Sequence, residues 1–388
     1  MKRLVERADK MATVHRKAKT VRDVPITSEL DAVIRGIKKS KGDQTVMPAS
    51  ELRQPFRIRT NIFMLDYALL GGIPFNRTTM FHGKKHSGKS TAAAKVIASA
   101  QQSLPEQKCV LIDTEGTFDD VWAKKNGVDT DALVLVQPDT GEDAVDIAVG
   151  LVHARETSLI VVDSLASLVP YKEVEGSAED EAIPGLQAKL ITRMLRRITM
   201  AQIQERKRGH FVSFLVTNQH RAKIGGWSPS GDPRSLPGGQ ALGHFTSVEV
   251  LFKNKEIIKS DGNGAETLAY NEHAFTIEKN KHNAGTRTGE YVLLRRDNED
   301  LGLEEGDVDD AATMLAFAKR LGWYSGGGKG GFTLAFADVE EHYDNGEQAV
   351  LGLYANREIY ETLRIQLIVQ NAIKQKMPPD FLDYLLGN

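Results

Sequence analysis

From about residue 56 to 285, apolar runs of strand length alternate with segments of helical periodicity. Val110-Leu111-Ile112, Leu133-Val134-Leu135-Val136, Leu159-Ile160-Val161-Val162 and Phe211-Val212-Ser213-Phe214-Leu215-Val216 are continuous runs, not alternating ones. A strand without a polar face must be covered on both sides, so this pattern predicts an α/β core: a mainly parallel sheet between layers of helices. A helix is predicted over 186–207, where Leu186, Leu190, Met194 and Ile198 recur at i+4 as a buried stripe. Upstream, Leu30, Val33, Ile34 and Ile37 make a similar stripe in a short helix over 27–40, with Ser28 as its cap and Gly42-Asp43 as its break. So short a helix cannot bury its own stripe and must dock elsewhere. Gln44-Thr45-Val46-Met47 after it reads as an isolated strand.

Past residue 300 the pattern changes. Residues 310–319 and 356–373 read as helices around a turn or hairpin at 322–328, and Phe381, Leu382, Tyr384 and Leu385 form a final apolar patch. The organisation expected is an arm over 1–22, a helix–strand unit over 23–55, an α/β core over 56–299 and a small α+β domain over 300–388. Two stretches break the core pattern, a polar one at 170–185 and a glycine-rich one with three prolines at 220–242. Loops this long in a compact domain are usually functional or disordered.

Composition narrows the class. With 388 residues, 41% hydrophobic, the chain can build one large core with small additions. No apolar run nears the ~20 residues of a membrane span, and no secretory signal is evident. A lone cysteine, Cys109 in an expected buried strand, excludes a disulfide within one chain and suits a reducing cytoplasm. The net charge of −2 conceals an asymmetry: residues 1–22 hold eight Lys/Arg against two acids, and 301–388 hold fourteen acids against seven Lys/Arg. That points to a polyanion partner, or to a solvated arm.

Candidate chemistry collects at strand ends, where open α/β sheets place their ligands. Gly83-Lys84-Lys85-His86-Ser87-Gly88-Lys89-Ser90 follows a strand at 78–82 and precedes a helix beginning at Thr91. This is the G-x-x-x-x-G-K-[S/T] phosphate loop in its proper setting. Its amides would cradle the phosphates of ATP, Lys89 would reach the β- and γ-phosphates, and Ser90 would ligate Mg²⁺. Asp163, after four apolar β-formers, is placed to hold the same ion. Glu115 could deprotonate the attacking water, or be a solvated turn residue. Gln219 suits a γ-phosphate sensor and equally a loop anchor. Lys189, Arg193, Arg196 and Arg197 share a helix face beside loops bearing Arg221 and Lys223, which reads as a phosphate-backbone track or a solvated face. Lys279 and Lys281 follow an expected edge strand at 274–278 and point the same way.

Taken together, the motifs resemble the bacterial RecA recombinase family. The resemblance rests on Leu111-Ile112-Asp113-Thr114-Glu115, Gln137-Pro138-Asp139-Thr140-Gly141-Glu142, Ile160-Val161-Val162-Asp163-Ser164, Asn218-Gln219, Lys223-Ile224-Gly225, Pro237-Gly238-Gly239-Gln240-Ala241-Leu242, Lys279-Asn280-Lys281 and Gly322-Trp323-Tyr324-Ser325. It implies a RecA-type ATPase core and a DNA-dependent ATPase that forms helical filaments on single-stranded DNA. Such a filament pairs that strand with homologous duplex; single-strand-binding and mediator proteins are candidate accessory partners, and a bacterial or phage-infected cytoplasm is the setting. By resemblance Glu115 is the hydrolytic base, and Gln219 couples the γ-phosphate to the second loop. Lys279 and Lys281 reach the ATP of the adjacent subunit, and Trp122 and Asp119 contact the adenine. The loops at 173–185 and 221–242 bind DNA, with Ile224, and Ile183 or Pro184, between base triplets and Lys189, Thr192, Arg196, Gly238, Gly239 and Gln240 on the strand. The helix at 27–40 docks on a neighbour. Gly243-His244 stands where the family often has Lys-Phe, and Arg295 stands near where it has an aromatic. These departures fit a divergent or phage-encoded member. A hexameric helicase-type motor and a recombination mediator without hydrolysis are the alternatives.

Overall fold

The protein is described by a computed structural model over residues 28–46, 56–176, 185–222, 234–260, 266–283 and 285–387. The chain divides into two compact units, residues 1–53 with 318–349 and residues 54–317 with 350–388. In the first unit, helix α1 (Ser28–Lys41) has Glu29 and Asp31 in its first turn and Lys38, Lys39 and Lys41 in its last, matching the helix dipole at both ends. Leu30 and Val33 of its apolar stripe are exposed. The strand expected over 44–47 is replaced by a single 3-10 turn over Asp43–Thr45, entered through Gly42 at φ +91°. Thr45 Oγ1 donates to the Lys41 carbonyl at 2.9 Å, which ties that turn to the helix end. Met47 lies outside the described residues.

The second unit opens with the ladder of β1 (Arg57–Ile58) and β2 (Ile73–Pro74), joined through α2 (Phe63–Leu69). There follow β3 (Thr78–Gly83), α3 (Lys89–Ser103), β4 (Lys108–Asp113), α4 (Asp120–Lys125), β5 (Val134–Val136) and α5 (Gly141–His153). Next come β6 (Thr157–Asp163), α6 (Tyr171–Glu175), α7 (Leu186–Lys207) and β7 (Ser213–Gln219). The short β8 (Arg221–Ala222), β9 (Arg234–Ser235) and α8 (Gln240–Phe245) lead to β10 (Val248–Ser260), β11 (Glu266–Asn280), β12 (Thr288–Leu294) and β13 (Val308–Asp309). Among the described residues nine strands form one sheet, in the order β13-β12-β11-β10-β3-β7-β6-β4-β5. From β10 to β5 neighbours are parallel, and from β10 to β13 they are antiparallel.

Ile112, Ile160, Val162, Phe214 and Val216 pack in one core with Ala144, Val145 and Ala148 of α5 and Leu190, Met194 and Ile198 of α7. The i+4 stripe thus faces the sheet, except that Leu186 is only half-buried. Three expectations change. The run at 133–136 is not covered on both faces, because β5 is an edge strand and leaves Val134 and Leu135 exposed. Residues 274–278 do not form an edge: β11 lies between β10 and β12. The glycine-rich stretch is not wholly irregular, since its ends form the β8–β9 ladder and α8.

Helix α9 (Ala311–Arg320) leads into the first unit's small antiparallel sheet of β14 (Tyr324–Gly326), β15 (Phe332–Phe336) and β16 (Val339–Tyr343). Trp323 stacks on Phe336 and Tyr324 on Phe332. After α10 (Gly346–Ala355), helices α11 (Arg357–Lys374) and α12 (Pro379–Leu386) complete the chain. Residues 350–388, expected with the small C-terminal domain, belong to the larger unit. A buried polar network and the packing of Ala372 and Phe381 on Leu70 tie them there. Arg364 pairs with Asp66 at 2.5 Å, Thr60 donates its amide and hydroxyl to the same carboxylate, and the Tyr360 hydroxyl bonds Asp310.

Candidate functional site

The phosphate loop bridges β3 and α3. Lys84, Lys85 and His86 are exposed at its tip, whereas Ser87 and Lys89 are buried. Gly83 is required by space: a Cβ there would lie 2.5 Å from the Phe252 carbonyl oxygen. Gly88 takes φ +92°, in the left-handed region. Lys89 Nζ donates to the Lys84 carbonyl at 2.8 Å and so spans the loop. Burial lowers its pKa, opposed by the charges of Asp163 and Glu115. Those two carboxylates therefore favour the ammonium form against the cost of its burial.

The acids come from adjacent strand ends, β4 and β6. Asp113, the last residue of β4, accepts the amides of Glu115, Gly116, Thr117 and Phe118 and the side-chain amide of Gln137. That turn aims Glu115 across the site. Glu115 Oε1 accepts from Ser164 Oγ at 2.6 Å, Gln219 Nε2 at 2.8 Å and Ser167 Oγ at 3.3 Å. The expected base and the expected sensor are thus hydrogen-bonded to each other. Asp163 accepts from Thr217 Oγ1 at 2.5 Å and from the Ser90 hydroxyl. Burial raises its pKa, and both hydroxyls and Lys89 oppose the shift.

Beside the loop, Asp119 caps α4 by accepting the Trp122 amide at 2.9 Å. The Trp122 indole N–H donates to Thr91 Oγ1 at 3.2 Å, and the Arg295 guanidinium lies 4.1 Å from the indole centre. Asp119, Trp122 and Arg295 line an open pocket of about 330 Å³ with Val121, Lys125 and Glu305. The sequence-predicted base contacts are therefore together, and Arg295 joins them.

Lys279 and Lys281 converge on the C-terminal end of α8. Lys279 Nζ donates to the Gly243 carbonyl and, at 2.7 Å, to that of Thr246; it lies 3.5 Å from Glu249. Lys281 Nζ donates to the His244 carbonyl at 3.1 Å. Cations at a helix C-terminus are favoured by its dipole. Burial lowers the Lys279 pKa, with Glu249 opposing.

Along α7, Lys189, Arg193 and Arg196 are exposed. Arg197 leaves that row by pairing with Asp146 of α5. The Thr192 hydroxyl donates back to the Ala188 carbonyl at 2.7 Å, leaving its lone pairs outward-available only as an acceptor. Gly238, at φ +99°, has Ile191 of α7 where a Cβ would sit, and Asn218 of β7 donates to the Pro237 carbonyl at 3.0 Å. The turn through Gly238 and Gly239 is thereby seated against Ile191 of α7. Arg221 begins the β8 ladder; Ile183, Lys223 and Ile224 lie outside the described residues.

Several participants were given no role by the sequence. Asp113 and Ser164 lie inside quoted motifs and Thr217 directly precedes one, and Asp113-Thr114-Glu115-Gly116 carries an Asx-turn signal. Others gave no local signal. His82 Nδ1 lies 2.8 Å from His220 Nε2, and His82 Nε2 lies 3.3 Å from Glu278, which links the residues adjoining the phosphate loop, Gln219 and Lys279.

Comparison with known proteins follows the same residues. The RecA N-terminal domain family matches residues 28–296. The chain is 35% identical over 301 residues to Protein RecA of Bacillus licheniformis, covering 76% of this chain and 81% of that one. It is 34% identical over 340 residues to Protein RecA of Nocardia farcinica (84% and 93% covered) and 36% identical over 300 residues to that of Streptomyces rimosus (76% and 75% covered). Phosphate loop, Glu115–Gln219 pair and glycine-rich turn all fall inside the matched span, and the chain is a member of the RecA family.

Proposed function

We propose that the protein is a DNA-dependent ATPase that assembles into filaments on single-stranded DNA, pairs that strand with homologous duplex and exchanges strands, in a cytoplasmic setting. The observation carrying the reading is the Glu115–Gln219 hydrogen bond of 2.8 Å. It joins the base of ATP hydrolysis to the strand end from which the second loop departs. Arrival of a γ-phosphate offers the Gln219 amide a charged acceptor, and its release from Glu115 frees that carboxylate to take a proton from water. ATP would lie along the loop amides, with Lys89 leaving the Lys84 carbonyl for phosphate and the base against Trp122 and Asp119 beside Thr91. Ser90 and Asp163, a hydroxyl and a half-buried carboxylate already joined, are the hard oxygen donors that Mg²⁺ prefers. Bound there, Mg²⁺ supplies neutralisation of phosphate charge.

Lys279 and Lys281 would act on the nucleotide of an adjacent subunit, exchanging the α8 carbonyls for phosphate and so reporting nucleotide state to the glycine turn. DNA would run over Lys189, Thr192, Arg196, Gly238, Gly239 and Gln240, with Arg221, Lys223, Ile224 and Ile183 from the loops. The test is ATP hydrolysis with and without single-stranded DNA, for wild type and Glu115→Gln. Stimulation by DNA is expected, with turnover reduced roughly 10²- to 10⁴-fold in the variant. Absence of stimulation would sink the recombinase reading; undiminished turnover would remove Glu115 as the base.

A further inference from the structure

The phosphate loop is held from behind by two side chains of the antiparallel strands, and neither belongs to a motif. His273 Nδ1 of β11 lies 3.2 Å from the Ser87 carbonyl oxygen, and Asn254 Nδ2 of β10 lies 3.1 Å from that of His86. The His273 side chain is buried, and its ring stacks on Tyr291 with centroids 4.9 Å apart and planes 18° apart. It also lies flush against the loop, because a Cβ on Gly88 would come within 2.5 Å of its Cε1. In a trans peptide the C=O and the following N–H point in opposite directions. A Ser87 carbonyl fixed on His273 therefore turns the Gly88 N–H away from the core, toward the concave side of the loop. Phosphate binding by such loops depends on amides so directed.

We propose that His273 is a positioning residue for nucleotide binding, which locks the Ser87–Gly88 peptide with its N–H toward the triphosphate, and that Asn254 gives the loop a second, weaker hold. This rests on the reading of the loop as the ATP site. The role is orientation, not charge: burial pushes the His273 pKa down to about 4, so the ring is neutral near pH 7 and must donate from Nδ1. Its Nε2 is buried without a hydrogen-bond partner among the described residues, and the Lys253 backbone bears on the ring beside the Ser87 carbonyl.

The experiment is direct titration of ADP and ATP, with steady-state hydrolysis and thermal melts, on His273→Ala, His273→Asn, Asn254→Ala and Lys89→Ala. Loss of one buried hydrogen bond predicts nucleotide dissociation constants raised roughly 5- to 50-fold in His273→Ala, with kcat at saturation within about twofold. His273→Asn, which keeps a donor near Nδ1, should recover most of the affinity, and Asn254→Ala should lose about threefold. The inference is overturned if His273→Ala lowers the melting temperature but leaves nucleotide affinity unchanged. It is equally overturned if Asn restores nothing, or, should the alanine variant not fold, if His273→Asn and Asn254→Ala both bind as wild type and hydrolyse with altered kcat alone. Lys89→Ala separates the two levels. If it loses binding while the His273 variants keep theirs, only this inference fails; if it binds normally, the phosphate-loop reading fails as well.

Discussion

The nucleotide end of the sheet and the basic face of α7 handle charge in opposite ways. Around the phosphate loop the charged groups that are buried or half-buried are tied to partners: Glu115 to three donors, Asp113 to five, Lys89 to a carbonyl, Lys279 to carbonyls and Glu249. On α7, Lys189, Arg193 and Arg196 are exposed and make no hydrogen bond or ion pair with a described residue. The first arrangement fixes geometry before the ligand arrives, which is what charge stabilisation of a transition state needs. The second keeps cations in water, where they can trade counterions for any phosphate backbone without regard to sequence. A disturbance at the first region should therefore cost both stability and chemistry, and one at the second only binding.

The strongest test of that contrast is Asp113→Ala. Five donors lose their acceptor at once, four of them the amides of the turn that aims Glu115. Charge-assisted hydrogen bonds contribute about 1.5–3 kcal/mol each, but water can reach part of this turn, so a loss of roughly 2–4 kcal/mol in unfolding free energy is expected. Chemical denaturation would show it, and hydrolysis should fall even where the variant remains folded. A stable variant with normal turnover would mean that the turn is set by its backbone alone and that the nucleotide end is not preorganised by side chains.

A smaller effect follows from pH. The His273 pKa is lowered to about 4 in the folded protein by burial, against about 6.5 in an unfolded chain. Between those values the unfolded state binds more protons, so His273 favours unfolding progressively as pH falls from about 6.5 to 4, and has no such effect above that window. His273→Asn should flatten the fall in melting temperature across it. An unaltered slope would show that the ring is not held neutral beneath the loop.

How legible these regions were differs for a physical reason. The parallel half of the sheet could be read from continuous apolar runs such as Leu159–Val162, and its strand ends from the polar residues that break them. Asp163, Glu115 and Gln219 were found because each lies in the polar stretch that follows such a run. His273 and Asn254 were not, because they lie on long antiparallel strands that are about half polar anyway, and their meaning comes from a register that pairs residues far apart in sequence. The grouping of residues 350–388 with the core was hidden likewise. It involves contacts far apart in sequence, such as Arg364 with Asp66, 298 positions away. The exposed edge at Val134 and Leu135 misled because an apolar run does not reveal whether its strand lies inside a sheet or ends one.

The smallest effect separates two neighbours on one helix. Arg196→Ala should weaken binding to single-stranded DNA alike for all sequences and reduce the slope of log K against log salt by about 0.7–1 unit, the loss of one phosphate contact. Arg197→Ala should change that slope by less than about half a unit, because Arg197 is already paired with Asp146 and releases few counterions on binding. Salt titrations of both variants decide the matter. Equal slopes would mean that Arg197 leaves Asp146 when DNA arrives, so that the basic face contains a paired cation after all. In that case Asp146→Ala should tighten binding by freeing Arg197 in advance. If the pair instead persists, removing Asp146 exposes a cation that the strand does not reach, and affinity should scarcely move.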